Sequence, residues 1–178
     1  MMMRAMGPGS VSSFLKVILD VVFVALWIGV SVVGLLVLAA LLLSFNPDLF
    51  AGISVRAGGE EIHGRGPVMA AGLLAAGLYM AGVLVIVDRL RRVFSTLTAG
   101  DPFHPANVRR LRVVGLMLAA LELGRYAVWG LGTWLLPGAR QVEPDLSLTA
   151  WFSVLVVFVL AEVFREGARL RREAELTI

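Results

Sequence analysis

The segment Thr98–Arg112, TAGDPFHPANVRRLR, lies between two long apolar runs. It is short and rich in arginine, and it contains one glycine and two prolines. Glycine takes the positive φ that ends many helices, and proline fits the first position of the next helix. Asp101-Pro102 and His104-Pro105 each offer a start for that helix. We interpret the segment as the cytoplasmic turn between two membrane-spanning helices.

The apolar content of the whole chain agrees with this interpretation. Of 178 residues, 58% are hydrophobic, and the mean hydropathy is +0.86. Soluble domains are about 45–50% apolar, and a soluble fold of this composition would have too little polar surface to cover its core. One span needs about 20 predominantly apolar residues. We therefore predict an all-α polytopic membrane protein with four transmembrane helices and short loops.

Breaks in the apolar runs divide the chain into these four spans. Asn46-Pro47 ends the first, because the residue before a proline disfavours helical geometry. Ile53–Arg56, in the loop that follows, alternates in polarity and is consistent with a short strand. The predicted spans are 14–45, 68–98, 106–136 and 146–164, with a turn at 99–105, loops at 46–67 and 137–145, and a tail at 165–178.

The distribution of basic residues predicts the orientation. Cytoplasmic segments of membrane proteins carry an excess of lysine and arginine. Arg56, Arg65 and Arg140 lie in the two loops predicted to be outside, and Arg125 lies within a span. The remaining basic residues all lie near the termini or the central turn: Arg4, Lys16, Arg89, Arg91, Arg92, Arg109, Arg110, Arg112, Arg165, Arg169, Arg171 and Arg172. Both termini are therefore predicted in the cytoplasm, with the protein in the cell (inner) membrane.

Several functional classes have no support in the sequence. The chain has no cysteine, so disulfides and thiolate sites are excluded. His63 and His104 stand alone and form no metal-ligand pattern. We find no phosphate-binding loop, nucleophile elbow or zinc-protease motif. A pI near 10.2 is explained by topology rather than by direct nucleic-acid binding. We predict a protein that is not an enzyme and has no cofactor or metal.

The turn and the tail carry two patterns that resemble a known family. The first has the form G-x-P-F-x-x-x-N-x-x-R-L and comprises Gly100, Pro102, Phe103, Asn107, Arg110 and Leu111. The second comprises Val163, Phe164, Gly167, Leu170, Glu173, Leu176, Thr177 and Ile178. Together they resemble the domain of unknown function 2975 family, the YoaS-like small bacterial four-helix membrane proteins. Two features depart from the family pattern: the tail is less acidic around Arg172, and the first outer loop is distinctive.

The resemblance implies a function without assigning an activity. Members of that family are often encoded beside a small helix-turn-helix regulator of the Xre type. This implies a membrane protein that binds or sequesters such a regulator in the cytoplasm. The candidate partner-binding residues are Phe103, Asn107, Arg110, Leu176, Thr177 and Ile178. Two interpretations of the turn stay open, since Asn107 and Phe103 either brace the bundle or form a docking surface.

Glu122 and Arg125 form the second candidate site. They are three residues apart on one predicted span, so they share a helix face. A charge inside a membrane is costly and marks a functional candidate. One interpretation is a mutually neutralised pair, and the alternative is a small transporter or channel-like protein, for which a homo-oligomer is left open. Elsewhere, Asp20 is predicted to pair with Lys16, and Glu162 with Arg165 or Arg169.

Overall fold

Four long helices form most of the described part of the computed structural model. They are α1 (Gly9–Ser44), α2 (Gly66–Thr98), α3 (Pro105–Leu135) and α4 (Leu148–Glu175). The structure describes residues 9–44, 55–57, 60–62, 66–135 and 145–176. The all-α prediction is confirmed. Each helix boundary lies within a few residues of the predicted one, except at the start of α1 and the end of α4.

Three helices in the described ranges are long and apolar enough to cross a membrane. These segments are Phe14–Leu42, Met69–Thr98 and Leu148–Ala174. They confirm three of the four predicted spans as candidates and indicate a multi-pass membrane protein. The predicted third span forms α3, a helix of 31 residues, which is not among the candidates found in the described ranges. Its apolar stretch is interrupted by Glu122 and Arg125.

A short hairpin lies between α1 and α2. Its strands are β1 (Val55–Ala57) and β2 (Glu60–Ile62), and they pair antiparallel with Val55 opposite Ile62. The predicted strand Ile53–Arg56 is thus confirmed in part. Ile53 and Ser54 lie outside the described residues. The rest of this loop and most of the second outer loop also lie outside them.

The chain divides into two compact units, one of residues 1–24 and 82–178 and the other of residues 25–81. In the first unit, Val93 of α2, Leu111 of α3 and Ala161 of α4 form a buried cluster. Leu97 and Phe164 pack against it. In the second unit, α1 and α2 approach closely at Gly77, where an added Cβ would lie 3.2 Å from Cγ1 of Val33. Small residues permit this close approach of two helices.

Helix α4 begins at a capped turn and extends beyond the predicted span. The side chain of Ser147 accepts a hydrogen bond from the Ala150 amide at 3.2 Å, which satisfies one of the free amides at the helix start. The predicted span ended at Phe164, but the helix continues to Glu175. Ion pairs between Glu162 and Arg165, Glu166 and Arg169, and Arg169 and Glu173 follow the three- and four-residue spacing that supports helices.

Candidate functional site

Gly100 ends α2 and begins the central turn. Its φ is +80°, a conformation that costs other residues energy because of their Cβ. The Gly100 amide donates to the Leu97 carbonyl at 3.1 Å, and the Asp101 amide donates to the Thr96 carbonyl at 3.0 Å. This pair of bonds is the Schellman motif, which satisfies the last carbonyls of a helix. The predicted role of Gly100 as a helix terminator is confirmed.

His104 and Pro105 start α3, which decides between the two predicted starts. Pro105 is the first helical residue, and its missing amide hydrogen is no loss at that position. The Nδ1 atom of His104 accepts a hydrogen bond from the Ala106 amide at 3.2 Å. The Asn107 amide donates to the His104 carbonyl at 2.9 Å. Asp101-Pro102 therefore lies in the turn rather than at the helix start.

Asn107 holds the turn together from the inside. It is fully buried, and its Nδ2 donates to Oγ1 of Thr96 at 2.7 Å and to the Pro102 carbonyl at 3.1 Å. Its Oδ1 accepts a hydrogen bond from Arg110 Nη1 at 2.9 Å. Buried polar groups are costly unless they are paired in this way. One side chain thus ties the end of α2, the turn and the start of α3 together, which is the bracing role that the sequence left open.

The side chain of Phe103 extends from the turn and packs on the C-terminal half of α4. An added Cβ at Gly167 would overlap ring carbons Cδ1 and Cε1 of Phe103. The Phe103 ring also contacts the Phe164 ring, with centroids 5.9 Å apart and planes tilted by 54°. Beside it, Arg171 Nη1 donates to Asp101 Oδ1 at 2.5 Å. The turn is therefore fastened to α4 by an aromatic contact and an ion pair.

Residues 99–104 and residues 162–176 together form what we call the turn–helix surface. Three of its apolar side chains remain exposed: Phe103 by 38%, Leu170 by 54% and Leu176 by 88%. Of the predicted partner-binding residues, Phe103 and Leu176 lie on this surface. Asn107 is buried beneath the turn, and Arg110 is partly exposed next to it. Thr177 and Ile178 lie outside the described residues.

Charged residues connect the four helices near the turn. Asp20 of α1 accepts a hydrogen bond from Arg91 Nε of α2 at 2.5 Å, and the Arg91 guanidinium lies 4.1 Å from the Phe23 ring centroid. The predicted pairing of Asp20 with Lys16 is wrong, because Arg91 reaches Asp20 from the neighbouring helix.

Similar contacts join α2 to α3 and α3 to α4. Arg110 Nη1 of α3 donates to the Arg92 carbonyl of α2 at 2.8 Å. Arg112 of α3 lies 4.0 Å from Glu162 of α4. The predicted pairing of Glu162 with Arg165 is confirmed. The boundary between apolar and charged sequence therefore lies at the same level on these helices.

Glu122 and Arg125 form the ion pair that their spacing predicted. Arg125 Nη2 donates to Glu122 Oε1 at 2.7 Å, and the Tyr126 hydroxyl donates to the same oxygen at 3.1 Å. Glu122 is buried, with 9% of its surface exposed. Arg125 Nη2 also donates to the Asp145 carbonyl at 2.7 Å. The pair lies near the middle of α3, as predicted, and the Asp145 contact shows that this part of α3 lies beside the start of α4.

Comparison with known proteins identifies a family for the chain. A family model described as "Protein of unknown function (DUF2975)" matches residues 50–178. The chain belongs to this family. Comparison with curated proteins and with solved structures finds no match.

The DUF2975 match extends over the hairpin, α2, α3 and α4, and leaves α1 outside. It therefore includes both patterns on which the resemblance was based. Within it, Phe103 of the first pattern meets Phe164 and Gly167 of the second. A glycine in a charged helical segment was the sequence signal for this close contact, but the sequence did not identify Phe103 as its partner.

Three other groups that form hydrogen bonds at these two sites of the DUF2975 protein were not predicted from the sequence. The Thr96 hydroxyl accepts a hydrogen bond from Asn107. A threonine inside a helix does not by itself predict this role. Tyr126 was detectable in principle, since it follows Glu122 by four residues and shares its helix face. The Asp145 carbonyl has no side-chain signature, so only the packing of α3 beside α4 reveals it.

Proposed function

We propose that this DUF2975 protein binds a cytoplasmic helix-turn-helix regulator on the turn–helix surface and holds it at the membrane. The observation that carries the proposal is the contact between the two sequence patterns. Asp101 and Arg171 are 70 residues apart in the chain and form one ion pair. Phe103 packs on Gly167 beside it. Two segments that are distant in the sequence thereby form one surface, which in the proposal is the docking site.

The proposal includes four spans with both termini in the cytoplasm. Support for α3 as a span comes from its contacts along α4. Arg112 approaches Glu162 near the turn, and an added Cβ on Gly115 would lie 3.0 Å from the Phe158 ring. At the far end, Arg125 reaches the Asp145 carbonyl before α4 begins. Because α4 is a candidate span, a helix packed antiparallel along it crosses the same apolar layer.

The charges support the orientation. The end of the molecule that holds the turn carries most of the arginines, which favours the cytoplasmic side. In this orientation the last turns of α4 project into the cytoplasm, because the charged part of the helix begins after Phe164. Leu170 and Leu176 are exposed there. In the proposal they form the apolar part of the docking surface together with Phe103, since contiguous exposed apolar patches mark protein interaction sites.

The mechanism is sequestration by binding, without chemistry. A regulator held at the membrane is kept from DNA, and a change in the packing of the turn against α4 would release it. Phe103 couples regulator binding to the packing of the turn on α4, since its ring is both partly exposed and packed on α4. Loss of this contact would separate the two halves of the docking surface.

Site-specific photo-crosslinking in native membranes tests the proposal. A crosslinking amino acid is placed at Leu170 or at Leu176, with the remainder of the chain unchanged. The matched control is Trp134, which is 78% exposed and lies near the far end of α3. We expect one DNA-binding protein to be captured from Leu170 and Leu176 and not from Trp134. Crosslinks that form only within the chain would refute the docking role and assign both patterns to bracing.

A further inference from the structure

Most arginines at the turn end of the molecule have a carboxylate partner. Arg91 pairs with Asp20, Arg92 with Asp88 at 3.0 Å, and Arg171 with Asp101. Other arginines at this end differ from them. Arg109, Arg110 and Arg172 have no ion pair with a described carboxylate. Arg89 reaches only Asp88 at 3.8 Å and Arg112 only Glu162 at 4.0 Å, and these carboxylates already pair with Arg92 and Arg165. Among these arginines, Arg89 has a buried donor without an acceptor in the described part of the chain, and Arg110 is bound to Asn107.

Arg89 lies on the face of α2 that packs inward. Val93 and Thr96 follow it at four and seven residues, so the three share one helix face, and Val93 is buried against α3 and α4. The Nε atom of Arg89 is buried and has no hydrogen-bond acceptor among the described residues. The side chain as a whole is 38% exposed. An external acceptor can therefore reach its tip, and one of its donors needs such an acceptor.

Arg110 is held in position beside the same turn of α2. Its Nη1 donates to Asn107 Oδ1 at 2.9 Å and to the Arg92 carbonyl at 2.8 Å. Arg92 is one helical turn from Arg89. Arg110 is thus fixed by two neutral acceptors, which orient the guanidinium without neutralising its charge. A cation held in this way is preorganised for an anion.

The position of both residues along their helices indicates where that anion comes from. Arg89 lies two residues after Val87, the end of the apolar part of α2, and Arg110 lies three residues before Val113, where the apolar part of α3 begins. This is the level at which lipid headgroups meet a spanning helix. Arginine binds phosphate oxygens through its planar set of donors. We propose that Arg89 and Arg110 bind the phosphate of an anionic phospholipid headgroup. This site is independent of the proposed regulator.

The test uses the full chain in nanodiscs of phosphatidylcholine with and without phosphatidylglycerol. Native mass spectrometry counts the lipids retained, and thermal unfolding measures the stabilisation that each lipid gives. We expect the wild type to retain phosphatidylglycerol in preference to phosphatidylcholine. Arg89→Gln and Arg110→Gln are each expected to reduce this preference about tenfold, because each removes charged donors to the phosphate. Arg110→Lys, which keeps the charge but loses the planar donor set, is expected to be intermediate.

Arg91→Gln is the matched control. Arg91 lies two residues after Arg89 on α2, but its charge is opposed by Asp20 at 2.5 Å, so the lipid preference of this variant is expected to equal that of the wild type. Circular dichroism of every variant checks that the helices form. If Arg110→Gln fails to fold, the lipid preference of Arg89→Gln alone tests the proposal. Equal retention of both lipids by the wild type would overturn the proposal. Equal stabilisation by inorganic phosphate in pure phosphatidylcholine would also overturn it, since the ligand would then be free phosphate.

Discussion

Phe103 occupies the space that the missing side chain of Gly167 leaves on α4. The two residues come from separate sequence patterns, and their contact joins the central turn to the C-terminal half of the last helix. Phe164 also packs against the Phe103 ring. The turn is consequently part of the packed structure and not a free connection between two spans.

Gly167→Ala is expected to destabilise the protein. The new Cβ would overlap the Phe103 ring, so the ring or the helix must shift, at a cost of about 1–3 kcal/mol in the free energy of unfolding. Thermal or denaturant unfolding in mild detergent measures it. Gly130→Ala is the control, because nothing lies within 4 Å of the position that its new Cβ would take, and alanine favours a helix over glycine by about 1 kcal/mol. A stabilising Gly167→Ala would contradict the contact.

Asn107→Leu is expected to weaken the turn strongly. The substitution leaves the Pro102 carbonyl and the Thr96 hydroxyl without their buried donor, and each such loss costs about 1–3 kcal/mol. Hydrogen exchange of the amides between Thr96 and Arg110 is the measurement, and faster exchange is expected there first. Thr98→Val is the control, since the exposed Thr98 hydroxyl donates only to carbonyls of its own helix. Equal exchange in both variants would argue against the central role of Asn107.

Asp20→Asn and Arg91→Gln are expected to be energetically coupled. Both side chains are partly exposed, so the coupling free energy should be about 0.2–1 kcal/mol. Arg91→Gln should cost more than Asp20→Asn, because Arg91 also lies over the Phe23 ring. A double-mutant cycle on the free energy of unfolding measures the coupling. The corresponding cycle of Asp20→Asn with Lys16→Gln should give none, and coupling there would restore the pairing within α1.

Glu122→Leu is expected to destabilise the protein, since Arg125 and Tyr126 would lose their shared acceptor. Glu122→Leu combined with Arg125→Leu should recover part of the loss, because no charge is then left unpaired. Glu166→Leu serves as the exposed control, since Glu166 forms the same i,i+3 pair with Arg169.

Liposome flux assays test the transport alternative. A Glu122→Gln variant with normal stability and altered flux would favour the transport alternative.

Local chemistry was sufficient for the helices and for the ends of the turn. Long apolar runs predicted the four helices, Gly100 ended α2 through its positive φ, and Pro105 started α3. The spacing of Glu122 and Arg125 also predicted their ion pair. Each of these features depends on residues within about one helical turn of one another, so the order of residues in the chain is enough to specify it.

Contacts between helices were decided by packing. Arg91 displaced Lys16 as the partner of Asp20, Phe103 packed on Gly167, and Arg125 reached the Asp145 carbonyl. Each of these depends on which helices are neighbours and on how far one is shifted along the other, since a shift of one turn would bring a different residue into reach. The long arginine side chain can reach many acceptors. The spacing of residues along one helix therefore could not identify Asp20 as the partner of Arg91. The position of Asp20 on α1 decides the pairing, because it places the carboxylate level with Arg91 of α2.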